Sequence, residues 1–177
     1  MKPFILLIFI ALLSTNCKND TVSEDANWIY LFDGSSTEGW RAYNGDSLPQ
    51  QWIIQDGTLT FDTKKRLESE KKGGNDIIYA KEEFDNFELY LEWKLPVAGN
   101  SGVFYHLKEG YDSPPEISPE YQLLDDLGWE KINNATLQEW QKTAADYAMY
   151  VPDKSMKIIK KAGEWNTTRI IFTPELV

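Results

Sequence analysis

Residues 87–95 read F-E-L-Y-L-E-W-K-L, so that Phe87, Leu89, Leu91, Trp93 and Leu95 alternate with Glu88, Tyr90, Glu92 and Lys94. Strict period two marks a strand with one core face and one wet face, because successive side chains leave a pleated backbone on opposite sides. A strand of this kind needs hydrogen-bonding neighbours and a second layer over its apolar face.

The rest of the chain offers such neighbours. W-I-Y-L-F at 28–32 is β-rich and stops at the turn D-G-S-S. Q-W-I-I-Q and T-L-T-F flank Asp56-Gly57, a hairpin signal. D-I-I-Y-A at 76–80 resumes the strands, and V-F-Y-H-L at 103–107 is expected to partner the strand at 87–95. E-Y-Q-L-L-D at 120–125 and E-W-N-T-T-R-I-I-F at 164–172 complete the set. The charged run 64–75 reads as a solvated loop. N-A-T-L-Q-E-W-Q-K at 134–142 is the one helical candidate, with Thr136 and Glu139 at capping-box spacing. Short strands separated by turns, with hardly any helix, predict an all-β sandwich or barrel.

The start of the chain has its own signature. Lys2 precedes a ten-residue apolar run, too short to span a bilayer and of the length of a signal-peptide core. The only cysteine, Cys17, follows that run, as in a bacterial lipoprotein lipobox. Residues 1–16 are therefore expected to be a signal peptide. Cys17 is the expected lipidation site, and residues 18–27 a polar tether. The domain would be exported and held to a membrane only through its lipid. A net charge of −10 argues against nucleic-acid partners, since phosphate backbones repel it. One Cys leaves no intramolecular disulfide, and one His excludes any site built from two or three histidines.

Catalysis would then rest on carboxylates, Lys or Tyr. Parity places Glu92 with Lys94, and Glu120 with Gln122, on shared strand faces. If those faces lined one side of one sheet, they would make a patch of two carboxylates, an ammonium, an amide and aromatic rings. Such a patch suits a sugar. The 7 Trp, 9 Tyr and 8 Phe would supply flat faces for it or fill a large core.

Five motifs occur in one order: W-I-Y-L-F-D-G-S at 28–35 with Gly39-Trp40, D-I-I-Y-A through W-K-L at 76–95, N-S-G-V-F-Y at 100–105, E-Y-Q-L-L-D, and G-E-W-N at 163–166. Together they resemble the 3-keto-disaccharide hydrolase family. The resemblance implies a concanavalin A-like jelly-roll sandwich over residues 28–177 and a glycoside or oligosaccharide substrate oxidised at C3 of a ring. It places the family's marked positions on Glu92, Lys94, Asn100, Ser101, Gly102, Glu120, Gln122, Asp125, Trp165 and Asn166. The family continues past the E-W-N strand to a further hairpin and closing strand, so those C-terminal strands are expected to be missing here.

A C3 ketone acidifies the C2 proton, so one base can open the glycosidic bond by elimination. Glu120 is the expected base, with Glu92 as the next candidate. Lys94, or a Ca²⁺ or other divalent ion on Glu120 or Asp125, would steady the developing oxyanion. Gln122, His106, Asn100, Ser101 and Trp165 are expected to bind substrate. A non-catalytic carbohydrate-binding module of the same fold is the alternative. A retaining endo-glucanase ranks last, because no E-x-D-x-E run is present.

Overall fold

A computed structural model describes residues 28–68 and 76–173. The expected signal peptide, Cys17, the tether and part of the charged loop lie outside the described residues. The chain forms two compact units, Met1–Tyr30 and Leu31–Val177. Of the first, Trp28, Ile29 and Tyr30 are described, all exposed and none in a strand.

The second unit is mostly strand, in four antiparallel pairs. β1 (Trp40–Ala42) pairs with β4 (Ile77–Tyr79), and β2 (Trp52–Gln55) with β3 (Thr58–Phe61). Asp56 and Gly57 close the β2–β3 hairpin with φ of 50° and 73°, the left-handed pair that a two-residue turn of this hand requires. β5 (Phe87–Trp93) pairs with β8 (Asn166–Phe172), and β6 (Asn100–Phe104) with β7 (Glu120–Leu124). Segment 144–147 runs along the other edge of β7. Gln122 N–H donates to Ala145 O and Tyr147 N–H to Glu120 O, at 3.0 and 2.8 Å.

The register of β5 is as its alternation predicts. Trp93 is buried, Phe87, Leu89 and Leu91 are partly buried, and Glu88, Tyr90 and Glu92 are exposed. Three expectations are corrected. Residues 28–32 form no strand; high β-propensity does not make one without a partner alongside. Residues 103–107 do not partner β5: its neighbour is the far-off β8, and β6 ends at Phe104. The main helix is not at 134–142 but is α2, Asp126–Asn133, following α1 at Thr63–Glu68 in the run expected to be loop. Asn134, in the left-handed conformation, ends α2, leaving only a 3-10 turn at Glu139–Gln141.

The pairs β5–β8 and β6–β7 meet through polar contacts in a buried setting. Trp93 Nε1–H donates to Thr168 Oγ1 at 2.9 Å, and that hydroxyl lies 3.4 Å from the Tyr121 hydroxyl. The Tyr121 side chain of β7 therefore reaches the Thr168 face of β5–β8. Glu120 and Gln122 lie on the face of β7 opposite Tyr121, and Glu92 on the face of β5 opposite Trp93.

Candidate active site

Glu120 opens β7 opposite Phe104, and Gln122 stands two residues on, opposite Gly102. Paired residues of an antiparallel ladder project to the same face, so Gly102, Phe104, Glu120 and Gln122 share one. Asn100, opposite Leu124, continues that face, whereas Ser101 belongs to the other.

The Glu120 carboxyl is half-buried and meets no hydrogen-bond donor among the described residues. Burial raises its pKa to about 7, and the negative charge of Asp76 adds to the rise. Gln122 is 5 % exposed. Its Nε2–H donates to Gln141 O at 3.4 Å, and its Oε1 has no partner among the described residues. A buried amide oxygen without a donor costs free energy until a hydroxyl or water reaches it. A titratable carboxyl and an unsatisfied acceptor thus stand side by side on one strand face.

The other expected site residues go elsewhere, and the single patch is corrected. Glu92 is exposed on the opposite face of β5, paired with Thr167. Lys94 continues that face, with Nζ 4.8 Å from the centre of the Trp165 ring. Glu92 and Lys94 thus lie on the face of β5 opposite buried Trp93, and Lys94 rests over Trp165. Period two reveals which residues share a strand's face but not which faces of different strands meet. His106 sits past the end of β6 with φ 53°, its ring 4.0 Å from that of Phe172. Among the described residues, no hydrogen bond or ion pair joins Lys94 or His106 to Glu120.

Asp125 and Asn166 hold turns. Asp125 Oδ2 accepts from Ala98 N–H at 2.8 Å and lies against Gly128, where an added Cβ would fall 2.0 Å from it. Asn166 Oδ1 accepts from Lys160 N–H at 2.7 Å. Among the described residues, no three His, Cys, Asp or Glu side chains gather as a metal site.

Two features escaped the sequence reading. Asp76 acts on Glu120 from another strand pair, and only the fold reveals that neighbour. Burial pushes the Tyr105 phenol up to about 12, and the nearby charge of Asp146 adds to the rise. Burial also raises the pKa of Asp146.

The chain belongs to the family described as the 3-keto-alpha-glucoside-1,2-lyase-like domain, whose family model matches residues 27–177. It is 38% identical over 161 residues to a 3-keto-disaccharide hydrolase of Bacteroides thetaiotaomicron, covering 81% of this chain and 52% of that protein. The chain therefore spans about half the length of that curated relative. Two crystal structures from Parabacteroides distasonis, each of a candidate glycosyl hydrolase, are also similar. One has a TM-score of 0.68 at 33% identity, covering 82% of this chain and 64% of that one. The other has a TM-score of 0.55 at 27% identity, covering 81% and 51%.

Proposed function

We propose that this domain cleaves glycosides whose sugar carries a ketone at C3, with Glu120 as the general base. The Glu120 carboxylate takes the C2 proton and the electron pair spreads onto the ketone oxygen; its return forms the C1–C2 double bond as the C1–O bond breaks, and the departing oxygen takes a proton from water. Addition of water across the resulting double bond completes a net hydrolysis. One elimination thus accounts for both "lyase" in the family description and "hydrolase" in the relative's name. The observation that carries the reading is the Glu120 carboxyl itself, half-buried, free of donors among the described residues, and poised at about 7. A base of that pKa is charged in useful fraction near neutrality and still strong enough to remove an acidified proton. Gln122 Oε1, beside it and unsatisfied, suits a sugar hydroxyl.

The same reading takes the strand pairs as parts of a two-layer jelly-roll sandwich, with β6–β7 presenting the substrate face and β5–β8 behind it. The contact from Trp93 through Thr168 to Tyr121, and the likeness to the glycosyl hydrolase candidates, support it.

The test is a matched pair of substrates, a 3-keto-α-glucoside and its unoxidised parent. Release of the leaving group is expected from the ketone alone, because without it the C2 proton is far too weakly acidic for a carboxylate. Equal turnover of the two would sink the elimination. Binding with no turnover of either would make the domain a carbohydrate-binding module.

We propose further that Cys17 carries lipid and that residues 18–27 tether the domain outside the cytoplasm. Cys17→Ala is expected to move the protein from the membrane to the soluble fraction. An unchanged membrane fraction would overturn the anchor.

A further inference from the structure

We propose that Gly102 is a positioning residue whose missing side chain leaves the space in which the Glu120 carboxyl lies. The proposal rests on Glu120 as the base for its kinetic consequence, but not for its structural one. Gly102 lies within β6 and is not among the glycines with positive φ, so its backbone conformation does not require glycine. Space does. A Cβ built on Gly102 would fall 2.0 Å from Glu120 Oε1, 2.7 Å from its Cδ and 2.8 Å from its Cγ. All three atoms belong to the far end of one side chain, and no backbone atom is among them. At Gly128 the comparable obstruction includes the backbone nitrogen of Ala98, at 2.7 Å.

The register explains what the space does. Glu120 is paired with Phe104, and Gly102 with Gln122. A carboxyl standing straight up from Glu120 would rise beside Phe104. Leaning over bare Gly102 instead, it reaches the corner next to the unsatisfied Gln122 amide. Base and acceptor then address adjacent positions of one ligand. Any side chain at 102 must turn the carboxyl out of that corner. The three atoms nearest the added carbon all belong to the Glu120 side chain, so the carboxyl gives way first.

The test reads Glu120 directly. With glutamate side chains labelled at the carboxyl carbon, Glu120→Gln identifies the Glu120 resonance by its disappearance. In the unaltered protein that resonance is expected to titrate near 7. In Gly102→Ala it is expected to fall at least halfway back to the ordinary glutamate value of about 4.3. An unchanged titration would overturn the proposal. With the 3-keto glucoside, Gly102→Ala is expected to lower kcat by roughly 10–100-fold, the cost of a base misplaced by about an ångström, with little change in KM. In a Glu120→Gln background the same substitution should cost nothing further, and an equal loss there would refute positioning. If instead Glu120→Gln retains normal turnover, the base assignment fails while the titration still decides where the carboxyl lies. Stability guards against a merely damaged fold. In a Glu120→Ala background, which removes the obstructing atoms, Gly102→Ala should not lower Tm. A lowered Tm there would assign the glycine to packing and overturn the proposal.

Discussion

Glu120→Gln is expected to lower kcat on a 3-keto glycoside by roughly 10²–10⁴-fold, the usual contribution of a positioned general base. Gln is nearly isosteric and keeps the hydrogen-bonding shape, so KM should change little. In the unaltered protein kcat/KM should rise with pH through about 7, as the Glu120 carboxyl becomes a carboxylate. The same substitution should stabilise the fold at alkaline pH. The folded-state pKa of Glu120 lies above its unfolded value, so the native state binds more protons than the unfolded chain between about 4.5 and about 7. Stability therefore falls as pH rises through that window, and Gln, which never ionises, escapes the fall. Solvent screens a half-buried group, so the gain at pH 8 is of order 1 kcal/mol, with none at pH 4. Paired melting curves at the two pH values check the sign. Near-normal turnover by Glu120→Gln, or a variant less stable at pH 8, would remove Glu120 from the role of buried base.

The strands that carry their own pattern were legible. The alternation at 87–95 defines both faces of β5, and the Asp56-Gly57 turn defines the β2–β3 hairpin, because each signal is local. Pairing was not legible. β5 joins β8 across more than seventy residues of chain, and nothing in either strand's pattern names the other. The helix at Asp126–Asn133 was hidden by Gly128, a poor helix former that is accommodated because Asp125 and the Ala98 backbone crowd its position.

The candidate site divides along the same line. Glu120 and Gln122 lie two apart on one strand, so parity alone joins them. Glu92 and Lys94 obey the same rule on β5, on the face opposite buried Trp93, with Lys94 over Trp165. Which of two wet faces sits near the substrate is decided by how the strand pairs are stacked. That stacking rests on contacts such as Thr168 to Tyr121, which join residues remote in sequence. The charge of Asp76 acts on Glu120 across strand pairs and was beyond any reading of local pattern.

The stacking itself predicts the second large effect: Trp93→Ala should cost about 3–5 kcal/mol of folding free energy. Trp93 is 7 % exposed, the most buried residue of β5, and it lines a cavity with Leu95, Asn166 and Leu124 of β7. Removing the indole loses apolar burial and leaves a cavity that its neighbours only partly fill. It also removes the donor to Thr168 Oγ1. Domains of this size are stable by only about 5–15 kcal/mol, so the variant should unfold at far lower urea. Trp93→Phe separates the two contributions. It keeps most of the ring and loses the N–H, while Thr168 can still meet Tyr121, so about 1 kcal/mol is expected. Urea unfolding followed by far-UV circular dichroism checks both. In Trp93→Phe the Glu120 carboxyl should titrate as before, because it faces away from the indole. A Trp93→Ala cost below about 1 kcal/mol would mean that this face of β5 is not packed against β7.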